Sequence, residues 1–498
     1  MDSAIPRLEV PPARLRYAGP AVVGAGAALI VLGALATSAG RGPLLLGGLL
    51  VLAALAWTFR GGVRASQVFL VLVVVLLVVP ARFRIEPLGV AGTPASLVGL
   101  SCMALWALGF VTGRPRIARS TPLRWALLAV VLTTMVSYVA AGFRPLDVVE
   151  ARAADRGLLT IVSVIGVALI AAEVVRDRAA LRRAVTAIVS AGAVVAAVGI
   201  VEFGLGLDLA AKLHLPGLTF TPVVFDSARA GFTRVVSTTS HPIELAVVLV
   251  MVLPLALWLF LRAVGHARIW WGGCLVLVAV AIPMTVSRTG VVGVIVALAV
   301  LLPTWTWCRR IRLLAAGGVG LVAFSGVVPG LIGTLRGFLL EPGGDTSIKS
   351  RQAGLERALD VIAERPLFGR GFGTFMPERY GYIDNQVLLG TVEIGIIGQV
   401  AYAALFLLAA GFALRARRVA AGVDRDDDRE LAASLLAGVA VAASTWLTYD
   451  ALSFPTGRAL TFVLIGLLAA LWRIVGRERR KGTAVTGAYP QGGALVDA

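Results

Sequence analysis

Charged and polar side chains gather at the ends of long apolar runs in this sequence. Glu202 closes one run, His241 and Glu244 open the next, Ser287 and Arg288 divide two more, Glu393 lies inside another, and Tyr449 and Asp450 close a later one. Ionisable groups in such surroundings are costly and point either to function or to a buried structural ion pair. Arginine suits phosphate or pyrophosphate, because its planar, permanently charged fork offers bidentate hydrogen bonds to anionic oxygens. Arg229 and Arg234 precede His241, and for either one taken singly anchoring to lipid headgroups is the better account. Arg288 differs, since it stands alone in Thr285-Val286-Ser287-Arg288-Thr289-Gly290 between two apolar runs, where a pure anchor gains little. The turn Gly369-Arg370-Gly371-Phe372-Gly373-Thr374-Phe375 could bring backbone N–H groups to an anion, or merely let the chain fold back to the next helix.

The elements that must position these residues are membrane helices. With 58% hydrophobic and 15% charged residues over 498 positions, the chain carries more apolar surface than a soluble core needs. Its runs approach the ~20 residues that cross a hydrocarbon core. About fourteen spans are expected, beginning near 19–40 and 43–59 and ending near 431–451 and 458–474. The expected fold is an all-α, polytopic transmembrane helix bundle. The net charge of +18 sorts by side: arginine-rich short loops such as Arg309, Arg310 and Arg312 fall on one side. The positive-inside rule therefore places both termini in the cytoplasm, and the charge reads as orientation and contact with anionic membrane lipid rather than nucleic-acid binding.

The organisation expected is a cytoplasmic N-terminal segment 1–18, a transmembrane domain 19–475 with long outward loops 205–240 and 333–384, and a flexible cytoplasmic tail 476–498. In the larger loop, Ile348, Gln352, Leu355, Leu359 and Ile362 recur at helical spacing. They predict an amphipathic helix ended by Pro366 and lying on the outer membrane surface or on the bundle. Cys102, Cys274 and Cys308 fall within or at the ends of spans, so no disulfide framework or cysteine metal site is indicated.

Four features taken together resemble the O-antigen ligase/polymerase family of Wzy-type membrane glycosyltransferases. They are the Ser287-Arg288-Thr289-Gly290 junction; the segment from Arg234 to Glu244; the large loop with Arg351 and Pro366-Leu367-Phe368-Gly369-Arg370-Gly371-Phe372-Gly373; and Asp384-Asn385-Gln386-Val387-Leu388 followed by Glu393-Ile394-Gly395-Ile396-Ile397-Gly398. The resemblance is best over about 200–415. It implies a GT-C-like fold in the cytoplasmic membrane and an inverting glycosyl transfer at the outer face, without a metal or other cofactor. A polyprenyl-diphosphate-linked oligosaccharide would donate its reducing-end sugar to a hydroxyl of a glycan or other acceptor.

Carried over by residue, the resemblance makes Arg234 and Arg288 the holders of the departing diphosphate, with Arg351 and Arg370 as further phosphate or sugar contacts. His241, Glu244, Asn385 and Glu393 complete the candidate substrate-binding set. Where many family members carry His-Asn, this chain has Asp384-Asn385. A carboxylate can take the acceptor's proton in place of that histidine, so Asp384 is the candidate base; it could equally cap the helix that follows. His241 is the alternative base. Two rival readings stand beside this one. A flippase for lipid-linked glycans would place polar groups and helix breaks near the midplane of paired helices. A SEDS-like glycan polymerase needs an acidic loop motif that is not found.

Overall fold

The computed structural model describes residues 65–111, 121–222, 228–229, 232–330, 333, 346–422 and 425–486. The expected N-terminal segment and the spans near 19–40 and 43–59 lie outside the described residues, as do residues 487–498. The chain divides into two units at Val68, and the description below concerns the unit from Phe69 onward.

Thirteen α-helices of more than one turn are described: α1 (Ala65–Val78), α2 (Pro94–Val111), α3 (Pro122–Ala141), α4 (Val148–Val174), α5 (Arg178–Leu205), α6 (Pro242–Arg262), α7 (His266–Met284), α8 (Arg288–Leu301), α9 (Trp307–Val327), α10 (Thr346–Glu364), α11 (Gln386–Ala421), α12 (Asp426–Thr445) and α13 (Pro455–Thr486). Eight of the described helices are long and apolar enough to cross a membrane, or nine if the 3-10 turn Glu86–Gly92 and the following helix form one bent span. The remaining apolar helices, α1 and α8, are shorter. Each span expected after residue 65 coincides with a described helix, but α12, at the span expected near 431–451, is not among those long and apolar enough to cross, and the expected total of about fourteen extends over residues outside those described. The last helix runs on to Thr486, past the boundary expected at 475.

Two features depart from an all-helical reading. Strand β1 (Phe83–Arg84) pairs antiparallel with β2 (Thr219–Phe220), and β3 (Ala228–Arg229) pairs with β4 (Phe232–Thr233). These two-residue ribbons knit loops at one end of the bundle and are too short to leave an alternating pattern in the sequence.

The core is built on α6 and α13, whose side chains are mostly buried. Helix α6 packs against α5, α7, α8 and α12, while α13 packs against α4, α11 and α12. Small residues permit the closest crossings: a methyl on Gly99 of α2 would meet the Ser163 carbonyl of α4 at 2.5 Å, the kind of backbone approach that drives helix association in lipid.

The bundle has two chemically distinct ends. At one, Arg178 pairs with Asp428 and Glu478, while Arg262 and Arg309 both pair with Glu430. At the other, buried polar side chains lock the loop entering α6. Glu202 accepts from the N–H groups of Ser237 (2.7 Å) and Leu209 (3.2 Å). The Ser237 hydroxyl donates to Val195 O and that of Thr238 to Leu77 O. Ser237 is thereby held at φ 54°, a left-handed value rare for residues with a side chain.

Glu244 joins two helix starts. Its Oε2 accepts from the Ser240 N–H (2.8 Å) and hydroxyl (2.6 Å), and its Oε1 from the N–H groups of Thr456 (2.7 Å) and Gly457 (3.0 Å) in the first turn of α13. It thus satisfies orphan donors at the ends of both core helices. Glu244→Ala would strand those buried donors, at about 1–3 kcal/mol for each group left unsatisfied. A large fall in melting temperature in detergent is expected, and a melting curve like that of the unaltered protein would remove this bridging role.

Candidate functional site

Arg234, His241, Arg288, Asp384 and a residue outside the expected set, Asp450, occupy the end of the bundle where the loops before α6, α8, α11 and α13 converge. The Arg234 Nε–H donates to the Thr285 carbonyl at 3.5 Å, which places Arg234 on the α7–α8 junction, three residues from Arg288. That junction turns sharply. Val286 sits at φ 48°, a position a β-branched residue occupies only under strain from its surroundings, and Ser287 precedes Arg288 as the N-cap residue of α8. Both arginines are half-buried.

His241 is the N-cap of α6, and its Nδ1 accepts from the Ile243 N–H at 3.1 Å. With Nδ1 engaged as acceptor, the neutral ring carries its proton on Nε2 and presents a donor there. Burial, reinforced by the positive charge of Arg234, pushes the His241 pKa down to about 3. The ring therefore stays neutral and is poorly arranged to act as a base. It faces Phe454 at 5.6 Å between centroids, and Phe454 in turn faces Tyr449 at 5.3 Å. His241 also lines a cleft of about 240 Å³ that opens between β1 and the start of α13.

Beyond Tyr449 stands Asp450, in the connection from α12 to α13. Its carboxyl is pushed up to about 7, first by burial and then by the negative charge of Asp384, against a hydrogen bond from Ser453. Asp384 and Asp450 are thus electrostatic neighbours although 66 positions separate them in the chain. The tie between their segments runs through Gln386: its N–H donates to the carbonyls of Trp446 (2.7 Å) and Tyr449 (3.0 Å), and its Oε1 accepts from the Leu452 N–H (2.7 Å).

The pair predicts a pH signature. Asp450 in the folded chain holds a proton that the unfolded chain releases near its ordinary value of 3.8. It therefore contributes stability that is complete below that value and is lost as pH rises through about 7. His241, with its pKa lowered, acts in the opposite sense, losing stability as pH falls below its ordinary 6.5. Comparison of melting temperatures for the unaltered protein and Asp450→Asn across this range isolates the first effect: the variant should decline less as pH rises. Parallel curves would contradict the raised pKa of Asp450.

The choice between base and cap at Asp384 has a geometric answer for the cap. Asn385 is the N-cap of α11, its Oδ1 accepting from Val387 N–H (2.9 Å) and Leu388 N–H (3.1 Å). The half-buried Asp384 carboxylate has no hydrogen-bond or ion-pair partner among the described residues.

Two other candidates are engaged within the fold. Glu393 accepts from the N–H groups of Gly373 and Phe375 in the glycine-rich turn, so the acceptor reached by that turn is a side chain of the chain itself. The same turn packs backbone to backbone against a break in α11: Arg370 N–H donates to Val392 O (2.8 Å), Gly371 N–H to Glu393 O (2.9 Å), and Ile396 N–H to Pro366 O (2.8 Å). The break is at Gly395, φ 68°, where a side chain would collide with the Leu367 carbonyl. Arg370 donates to Glu150 (3.0 Å) and to the Tyr380 hydroxyl (2.6 Å). Arg144 donates to the other oxygen of Glu150 at 2.7 Å, which fastens the large loop to the α3–α4 turn. Arg351 lies on α10, with its side chain outside the described residues.

Helix α10 itself forms as expected, with a different face toward the bundle. Ala358 is fully buried and Gly354 lies against the Tyr382 carbonyl, while Leu355 and Leu359 are exposed. Small residues, rather than the leucines, admit the close approach of the segment leading to Asp384. Sequence reasoning missed Asp450 as a partner of Asp384. Its only local signal was a charged residue closing an apolar run.

Among curated proteins, none matches the chain. A family model described as O-antigen ligase (Wzy_C) matches residues 273–403, from within α7 into α11, a stretch that includes Arg288, Arg351, Arg370, Asp384, Asn385 and Glu393. Residues 273–403 are thus similar to the O-antigen ligase family, in agreement with the resemblance carried by the sequence motifs.

Proposed function

We propose that the chain is a multi-pass glycosyltransferase of the cytoplasmic membrane that polymerises or ligates polyprenyl-diphosphate-linked oligosaccharides at the outer face, both termini being cytoplasmic. The observation that carries the reading is the convergence of Arg234 on the Arg288 junction, at the bundle end that also holds the Asp384–Asp450 neighbours. In the reaction, an acceptor hydroxyl oxygen attacks the anomeric carbon. The bond from that carbon to the diphosphate oxygen breaks, the electron pair leaves with polyprenyl diphosphate, and the hydroxyl proton passes to Asp384. Attack opposite the leaving group inverts the anomeric centre. Arg234 and Arg288 stabilise the charge that develops on the diphosphate, a task preplaced cations perform without a metal.

Within this reading, His241 offers its Nε2–H as a neutral donor, while Glu244, Asn385, Glu393 and Arg370 hold the scaffold. Arg351 remains a proposed phosphate or sugar contact, and the GT-C-like character of the fold belongs to the same proposal. Purified protein incubated in detergent with a polyprenyl-diphosphate oligosaccharide should yield a ladder of lengthened products if it is a polymerase, the narrower reading, and a single capped acceptor if it is a ligase. Substrate recovered unchanged in the presence of both donor and acceptor would contradict either form.

A further inference from the structure

The cleft beside His241 has a chemistry of its own. Its described lining includes Arg82, Arg84, Thr93, Ser240, His241 and Phe454, and no carboxylate. Arg82 is buried and held by Asp208, which accepts both Nη groups at 2.5 Å, so its charge is fixed in place. Arg84 is about one-third exposed and, among the described residues, pairs with Glu86, at 3.8 Å. Its buried Nε has no hydrogen-bond partner among the described residues, an incomplete state for a guanidinium and one that an oxyanion would relieve.

The hydroxyl protons of Thr93 and Ser240 are directed inward, to Val90 O and Glu244, which leaves oxygen lone pairs as acceptors for a ligand's hydroxyl groups. Phe454 adds an apolar ring face of the sort that packs against the C–H side of a pyranose. Arginine, hydroxyl acceptors and one aromatic face in a cleft of about 240 Å³ fit a single sugar ring bearing an anionic group.

We propose that this cleft is a second anion subsite, separate from the Arg234–Arg288 junction, and that it takes an oxyanion-bearing sugar of the glycan, a uronic acid being the simplest case. The inference rests on the glycosyltransferase reading and deepens it: His241 lies between the two cationic regions, so one can hold the carrier diphosphate while the other selects an acidic repeat unit. All lining residues fall outside 273–403, so the selectivity comes from parts of this chain beyond the matched domain.

The test is binding, measured without turnover by calorimetry on detergent-solubilised full-length protein. Three probes are used: a short glucuronate-containing oligosaccharide, its neutral glucose counterpart, and inorganic pyrophosphate. The uronate should bind about ten-fold or more tightly than the neutral sugar, with the difference shrinking at high salt. Arg84→Gln should erase the difference and Arg84→Lys restore part of it, while all proteins melt alike and pyrophosphate binding is unchanged.

Equal binding of the two sugars, or a uronate preference that survives Arg84→Gln, would overturn the proposal. Loss of pyrophosphate binding in Arg84→Gln, with no effect on the uronate, would assign the cleft to the carrier diphosphate instead. Because no bond need be made, failure here is distinct from failure of the catalytic reading, which shows in product formation.

Discussion

Asp384→Asn is expected to reduce turnover by about 10²–10⁴-fold, the range associated with removing a positioned general base, while leaving folding and donor binding intact. The expectation of an intact fold comes from the geometry. The cap of α11 belongs to Asn385, and no described residue relies on the Asp384 carboxylate. A carboxamide keeps the size and loses the basic lone pair, so the acceptor proton has no destination. Initial rates, melting temperature and donor affinity measured together separate a lost base from a lost structure. The pairing with Asp450 adds a finer expectation: removing the charge of Asp384 relieves the repulsion that helps hold Asp450 in its protonated form. Turnover within a few-fold of the unaltered protein would exclude Asp384 as the base.

Arg288→Ala is the second change with a large expected effect, about 10²–10³-fold in turnover, the scale observed when one preorganised electrostatic donor is removed. Its position at the first turn of α8 adds the helix dipole to the side-chain charge at the proposed diphosphate site. Arg288→Lys should recover only part of the rate, because it restores the charge without the bidentate fork. Arg234→Ala should act similarly. Arg234 leans on Thr285 in the same turn, and both arginines are proposed to serve one leaving group, so the double variant should fall short of the product of the single effects. Strict multiplicativity would mean that the two arginines act at separate places.

Much of the scaffold was legible because hydropathy over ~20-residue windows reports spans directly. From α3 through α8, helix positions agree with the runs read from the sequence, and the amphipathic pattern of 348–362 did mark a helix. What escaped were features that need a second segment. Gly395 lies in the apolar run Glu393-Ile394-Gly395-Ile396-Ile397, and only the backbone of Pro366–Gly371 packed against it reveals a break. For the same reason, Glu393, which in the sequence is only a charge inside an apolar run, is seen to be enclosed by the glycine-rich turn only once that turn is packed against the break.

The site was legible by residue type and only partly by partner. Arg234, Arg288 and Asp384 stood out as charges where charge is costly. Glu244 stood out by the same signal, yet four hydrogen bonds engage it in joining α6 to α13. Cost of burial alone does not separate a catalytic carboxylate from a bridging one; the count of satisfied lone pairs does. Asp450 became visible only when the α12–α13 connection was seen beside the start of α11.

The most direct test of the central claim is to count polyprenyl diphosphate released against glycosidic bonds formed by the purified protein in detergent, where no compartments exist to transport between. The catalytic account predicts one polyprenyl diphosphate for each new bond, with both lost in Arg288→Ala and Asp384→Asn. Movement of intact lipid-linked glycan across a vesicle bilayer, with no diphosphate released and no bond formed in detergent, would contradict it.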